Sequence, residues 1–212
     1  MKEKGKSYAC RKPESKRPKD DFYQTPKCMT WELLNTGLLQ NYLNETEKKI
    51  LDPCCGKYAI SKILKNNGFT VFERDLMYGN DFLNDNYDGT DFDAIVMNPP
   101  FKHFDSFVKK AKGISPVVCC IGKLNFFGAH DRNISGLWDN LEWVLPFDRQ
   151  IAYDSPFRED GKVNVGMMIS GWFIWNKNYN AEPKIKVIDM QKYILKAEEK
   201  NAYSNSSNNH RG

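Results

Sequence analysis

The stretch from Ala94 to Ile121 constrains the fold of this chain more than any other. It opens with a short apolar run, Ala94 to Met97, stopped by Asn98-Pro99-Pro100-Phe101. Two consecutive prolines cannot continue a sheet or enter a helix interior, so they form a rigid loop at the carboxyl end of a strand. Phe104, Phe107, Val108 and Ala111 then recur at i, i+3, i+4 and i+7, the stripe of a helix with one buried face. Pro116 to Ile121 is apolar throughout, the pattern of a strand covered on both sides. Strand, rigid loop, helix and buried strand in that order predict a parallel β–α–β unit.

The same alternation runs through the flanking sequence. Ile50-Leu51 ends in Asp52-Pro53-Cys54-Cys55-Gly56, and Ile60, Ile63 and Leu64 give a helix stripe closed by Asn66-Asn67-Gly68. Phe69 to Phe72 reads as a second strand. Upstream, Trp31, Leu34, Leu38 and Tyr42 fall at helical spacing behind a cap at Thr30. Val163 to Trp175 is a long stretch rich in Val, Ile, Trp and Phe; if it is extended, Met167, Ile169, Gly171, Phe173 and Trp175 share one face. A return strand at Ile185 to Ile188 completes a terminal antiparallel hairpin. The expected fold is α/β: a mostly parallel sheet with helices on both faces and an antiparallel hairpin at its end.

A chain of 212 residues with 41% hydrophobic side chains can bury one ordinary core, which excludes wholesale disorder. The longest clearly apolar run, Pro116 to Ile121, is far below the ~20 residues of a membrane span. Met1 leads into Lys2, Glu3, Lys4 and Lys6, a start unlike a secretory signal, so a cytoplasmic location is expected. Of the six cysteines, four form the adjacent pairs Cys54–Cys55 and Cys119–Cys120, and no CxxC spacing occurs. Buried thiols are expected, with no disulfide framework and no metal.

Positive charge is concentrated at one end. Residues 1–20 hold eight Lys or Arg against three acids, whereas the remainder is almost neutral. A flexible basic arm is expected over 1–20, a folded domain over 21–190, and a helical then disordered tail over 191–212. Such an arm fits nucleic-acid phosphates and fits a solubilising terminus equally well.

The chemistry points to the Asn98–Phe101 loop. In an open α/β sheet ligands bind at the carboxyl ends of the strands. There, an asparagine carbonyl beside a proline carbonyl off the ladder gives two acceptors aimed at one place, with an aromatic ring next to them. That arrangement suits an exocyclic amino group on a planar, conjugated substrate. The plainer alternative is a proline turn that only ends a strand. No Ser-His-Asp or Cys-His constellation is evident among His103, His130 and His210; His103, beside Lys102 just past the loop, stands where a substrate base would enter, and a surface loop histidine is the plainer reading.

Asn98-Pro99-Pro100-Phe101 resembles the catalytic motif of S-adenosylmethionine-dependent amino methyltransferases. Asp52-Pro53-Cys54-Cys55-Gly56 resembles the first cofactor loop of that family. Asp75-Leu76 and Asp81-Phe82-Leu83 match the next two cofactor positions. Phe22-Tyr23-Gln24-Thr25-Pro26 resembles the segment that closes over the methionine end of the cofactor. The order of these motifs is most similar to the small adenine-N6 DNA methyltransferases of phages and prophages, from about Phe22 to about Ile188. The resemblance takes in Phe127, Arg132, Arg149 and Trp172-Phe173-Ile174-Trp175.

The resemblance implies a Rossmann-like methyltransferase fold in the cytoplasm of a bacterium or a phage-infected host. It implies catalysis by Asn98, Pro99, Pro100 and Phe101. It also implies S-adenosylmethionine contacts from Tyr23, Thr25, Pro26, Asp52, Pro53, Cys54, Gly56, Asp75, Leu76, Asp81 and Phe82. Read as residues, Gly56 lets a ligand approach the backbone, and Asp75 offers two oxygens to a ribose diol with Glu73 as a competitor. Asp81 can accept from an adenine amino group, with Phe82 against the ring; a solvated acid and a core phenylalanine are the plainer readings. Tyr58 departs from the family loop, which commonly has glycine there.

The implied activity is methyl transfer to the N6 amino group of adenine in DNA, with DNA held by the cleft and the basic arm. Two alternatives stay open. One is methylation of an RNA base or a protein glutamine amide, and the other is a catalytically weak cofactor-binding or DNA-binding subunit. A partner subunit for target recognition is also expected, because little chain follows Trp175 to read bases.

Overall fold

The structure is a computed structural model that describes residues 24–43, 47–152, 166, 168–191 and 193. The basic arm, Phe22, Tyr23, residues 163–165, Met167 and the C-terminal tail apart from Gln191 and Tyr193 lie outside the described residues. Seven strands form one sheet in the order β2-β1-β3-β4-β6-β5-β7. They are β1 (Lys49–Asp52), β2 (Thr70–Glu73), β3 (Ala94–Met97), β4 (Val117–Lys123), β5 (Leu141–Pro146), β6 (Ser170–Asn176) and β7 (Lys184–Ile185). The helices are α1 (Lys27–Asn35), α2 (Leu38–Tyr42), α3 (Ala59–Asn66), α4 (Phe104–Ile114) and α5 (His130–Ile134).

The sheet divides the core by residue parity, as alternating side chains require. Ile50, Ala94, Val96, Cys119, Trp172 and Ile174 face one side, where they meet Met29 and Leu33 of α1 and Ile60, Ile63 and Leu64 of α3. Leu51, Ile95, Met97, Cys120, Phe173 and Trp175 face the other side, against Phe104, Phe107, Val108 and Ala111 of α4. The expected α4 stripe is buried at all four positions. Cys119 and Cys120 point to opposite faces, and the five described cysteines are free.

β1, β2, β3 and β4 pair in parallel, and the α/β class is as expected. The antiparallel part is arranged differently from a simple terminal hairpin. β6 inserts between β4 and β5 and runs antiparallel to both. Ile185 pairs with Val144 of β5 in parallel, so the chain passes beyond β5 before it returns to the sheet. Both faces of β6 are buried because it is an interior strand, and Ile169, expected on its apolar face, precedes it and is exposed.

β5 carries no clear sequence signal. Its alternation is broken by a bulge between Leu141 and Trp143, where Glu142 accepts from the Tyr42 hydroxyl, Asn176 Nδ2 and Lys184 Nζ. The single helix expected from Trp31 to Tyr42 is two. Gly37 adopts φ +74 between α1 and α2, a conformation that ends a helix at little cost only in glycine. Thr30 is buried inside α1, and Pro26 stands at the N-cap. Residues Leu34 and Leu38 therefore belong to different helices.

The two tryptophans of β6 clamp both layers. Trp172 Nε1 donates to the Met29 carbonyl of α1 at 2.8 Å, and Trp175 Nε1 donates to the Leu137 carbonyl at 2.9 Å. Between them the sheet is tight against its neighbours. A Cβ on Gly171 would stand 2.5 Å from the Leu145 carbonyl oxygen, on a paired strand that cannot retreat without breaking its ladder. Gly113, in contrast, lies in α4 with nothing within 4 Å of such an atom. Gly171→Ala is expected to lower stability by about 1–3 kcal/mol through overpacking. Gly113→Ala is expected to raise it by about 0.5–1 kcal/mol through helix propensity. Urea midpoints at unchanged slope check both.

Candidate active site

The strand order fixes where a ligand can enter. From β1 the chain goes through α3 to β2 on one side, and from β3 through α4 to β4 on the other. Between β1 and β3 the direction of winding reverses, which opens a crevice at their carboxyl ends. A cleft of about 760 Å³ lies there. The loops after β1, β2 and β3 supply its walls through Pro53–Gly56, Asp75–Met77 and Asn98–Phe101, and Thr25 adds the segment before α1.

Most sequence-predicted residues therefore converge. Thr25, Pro53, Cys54, Gly56, Asp75, Leu76, Asp81, Phe82, Asn98, Pro99, Pro100 and Phe101 all line this one cleft. Pro26 and Asp52 stand back from its wall. Pro26 is buried at the start of α1, and Asp52 is fully buried at the end of β1. Gln24, Met77, Asn80, His103 and Phe107 line the cleft too, without a local signal that would have singled them out as ligands.

The first loop turns tightly at Gly56 (φ +49) and Tyr58 (φ +65). A left-handed tyrosine is strained, which is why glycine suits this position. The Tyr58 ring does not enter the cleft. It stacks on Tyr78 with centroids 5.6 Å apart, and the Tyr78 hydroxyl donates to the Gly56 carbonyl at 3.1 Å.

Asp75 ties the second loop to the first. Its carboxylate accepts from the Gly56 N–H at 2.8 Å and from the Met77 N–H at 2.9 Å. Each oxygen keeps a further lone pair for a diol in the cleft. Glu73 is paired instead with Lys65 at 2.7 Å and does not line the cleft. Asp75→Ala removes the loop tie and, with the diol-binding role expected of this carboxylate, should weaken binding of S-adenosylmethionine by about 1–3 kcal/mol in calorimetry.

Asp81 accepts from Asn84 Nδ2 at 2.7 Å and from the Leu83 N–H at 3.1 Å. The Asn84 amide, before other contacts, holds its carboxyl below the usual range. Phe82, only 2% exposed, packs on Phe107 with centroids 5.1 Å apart, so it serves the core and the cleft floor together.

At the third loop Asn98 donates from Nδ2 to the Thr25 hydroxyl at 2.9 Å, and its Oδ1 is buried without a hydrogen-bond partner. An orphaned carbonyl oxygen costs stability, and this one belongs to a residue that lines the cleft. Phe101 stands beside it, edge-on to Phe126 with Lys123 Nζ 4.7 Å from its centroid. Arg132 covers Phe126 at 4.2 Å and pairs with Asp105. The cleft thus joins an acidic half, with Asp75 and Asp81, to a half that carries the Asn98 amide and an aromatic ring with cations nearby.

Asp52 supplies a second orphan. Both its oxygens are buried, and no hydrogen bond of good geometry reaches them. Burial first, then the Asp75 and Glu73 charges, raise its carboxyl well above the ordinary range, and the Cys54 N–H offsets part of this. A cationic group bound next to Cys54 would complement that carboxyl. The donor set suits a ligand with a ribose and a positively charged amino-acid end, and S-adenosylmethionine has both. Among the described residues no cluster of three or more His, Cys, Asp or Glu side chains could hold a metal, and no helix is long and apolar enough to cross a membrane.

Neither a protein-family model nor a curated protein matches the sequence. Among solved structures, the chain is similar to a Pyrococcus horikoshii protein described as a candidate RNA methyltransferase. The two share 18% identity and a TM-score of 0.53, over 79% of this chain and 91% of that one. A Thermoplasma acidophilum protein follows at 16% identity and TM-score 0.34, over 72% and 85%. A Clostridium acetobutylicum S-adenosylmethionine-dependent methyltransferase follows at 12% and 0.36, over 81% and 79%. The chain folds like the Pyrococcus protein: a Rossmann-like α/β fold with an antiparallel strand set into its parallel sheet.

Proposed function

We propose that this protein transfers a methyl group from S-adenosylmethionine to the N6 amino group of adenine in DNA. The observation that carries the reading is Asn98 itself, which lines the cleft next to Phe101 and whose side-chain carbonyl oxygen is buried without a hydrogen-bond partner. S-adenosylmethionine supplies a methyl group on a positively charged sulfur that leaves as a neutral thioether.

The residues of the chain hold and orient. Asp75 binds the ribose diol, Asp81 accepts from the cofactor's adenine amino group, and Phe82 supports its ring. Gly56 lets the backbone approach, and Pro53, Cys54 and Leu76 enclose the cofactor. At the other end, the Asn98 side-chain carbonyl and the Pro99 backbone carbonyl accept the two N–H bonds of the target amine. That favours a tetrahedral nitrogen whose lone pair is free to attack, which delocalisation into the ring otherwise prevents. Pro100 stiffens the loop, and Phe101 stacks on a base turned out of the duplex. With a good leaving group already in place, positioning supplies most of the rate.

DNA is the preferred substrate because the motif order resembles adenine-N6 DNA methyltransferases and the arm over 1–20 is basic. The arm would bind phosphates, and a partner subunit would add target recognition. The RNA alternative draws on the description of the Pyrococcus protein, and glutamine-amide transfer uses the same acceptor pair. The test is transfer of labelled methyl groups to an adenine-containing duplex, to RNA and to a glutamine peptide in parallel. Label recovered as N6-methyladenine in DNA supports the proposal. Label confined to RNA or peptide, or none at all, refutes it.

A further inference from the structure

Thr25 lies 73 positions from Asn98 in sequence, yet its hydroxyl accepts from Asn98 Nδ2 at 2.9 Å. The resemblance gives Thr25 a place at the methionine end of the cofactor, whereas the structure puts its hydroxyl on the amide that faces the target amine. We infer that Thr25 is a positioning residue, whose hydroxyl anchors the Asn98 amide so that Oδ1 stands at the target nitrogen. This role rests on the amino-methyltransferase reading above.

Three observations carry it. First, a primary amide can rotate to present either a carbonyl or an N–H₂ group, and only the carbonyl can accept from an amine. The Thr25 bond occupies Nδ2 and leaves Oδ1 as the group without a partner. Second, the contact is sheltered, because Thr25 is only 6% exposed, and water cannot readily replace the lost hydroxyl. Donation from Nδ2 also polarises the amide and strengthens its carbonyl as an acceptor.

Third, the segment next to Thr25 is tied to the sheet. The neighbouring Pro26 carbonyl accepts from the Met29 N–H at 3.0 Å, and the Met29 carbonyl accepts from buried Trp172 Nε1 at 2.8 Å. The interior strand β6 thereby ties down the start of α1, next to the residue that holds the Asn98 amide. Docking of the N-terminal helix on the sheet completes the site.

The test compares Thr25→Val, which keeps the shape and removes the hydroxyl, with Thr25→Ser, which restores it. Thr25→Val should lower kcat by about tenfold to a hundredfold, the scale of a slightly misplaced reacting group, with KM for S-adenosylmethionine changed less than about threefold. Thr25→Ser should recover most of kcat. A readout independent of activity is the Asn98 side-chain amide in nitrogen-15 NMR without cofactor, whose protons should exchange faster in Thr25→Val than in Thr25→Ser.

A raised KM with unchanged kcat would assign Thr25 to the cofactor and overturn the inference. Equal loss of kcat in both variants, or Asn98 amide exchange unaffected by the valine, would also overturn it. A parent protein without methyl transfer to DNA, RNA or glutamine would refute the functional reading itself. An active parent whose valine variant keeps its kcat would refute the positioning role alone.

Discussion

Asn98→Ala is expected to reduce kcat for methyl transfer by roughly a hundredfold to a thousandfold, the usual loss when one preorganised hydrogen-bonding group at the reacting centre is removed. Affinity for S-adenosylmethionine should stay within a few-fold, because Asp75, Asp81 and Gly56, to which the proposal assigns the cofactor, lie on other loops of the cleft. The fold should tolerate the change. Alanine removes a buried carbonyl that has no partner, so the truncation relieves one unsatisfied group while it breaks the bond to Thr25. Single-turnover rates beside calorimetric cofactor affinities check both halves. A variant that methylates at the parental rate would place the active site elsewhere.

Asp52→Asn is expected to stabilise the cofactor-free protein near neutral pH. The Asp52 carboxyl is wholly buried, the Cys54 N–H offsets only part of that burial, and the charged groups that act on it are the like charges of Asp75 and Glu73. Burial raises its folded pKa well above the unfolded value, so the native state holds a proton that the unfolded chain has already released. Stability contributed by that proton is complete below about pH 4, where both states are protonated. It declines by up to about 1.4 kcal/mol per pH unit as pH rises toward the folded pKa. Asparagine has no such proton. The variant should therefore gain on the parent as pH rises from about 4 to the folded pKa, and hold that gain above it. Urea unfolding of both proteins at several pH values measures the difference, and parallel stability curves would refute the raised carboxyl.

Much of the site was legible because its parts are local. An apolar run stopped by two prolines is a strand end wherever it occurs, and Phe104, Phe107, Val108 and Ala111 form one helix face without help from the rest of the fold. The loops after β1, β2 and β3 could be recognised separately, and their convergence follows from the winding of parallel β–α–β units. Asp75 and Asn98 were for the same reason identifiable as neighbours of one cleft.

What escaped the sequence depends on contacts between distant segments. Nothing local says that β6 pairs with β4 and β5 together, or that Ile185 joins the far side of β5, since a strand's edge groups are alike along its length. β5 stayed hidden because Glu142 interrupts its alternation, and its three partners come from α2, β6 and β7. The break at Gly37 was masked by leucines that fit one helix or two. Whether Tyr58 crowds the cleft was settled by a stacking partner twenty residues on, Tyr78. The sequence alone determined which residue types stand at the strand ends, because prolines, glycines and hydrophobic periods act over a few residues. Only the tertiary structure decided that Asn98 Oδ1 is the unpartnered acceptor, because that depends on Thr25, a hydroxyl brought in by a helix clamped to the opposite end of the chain.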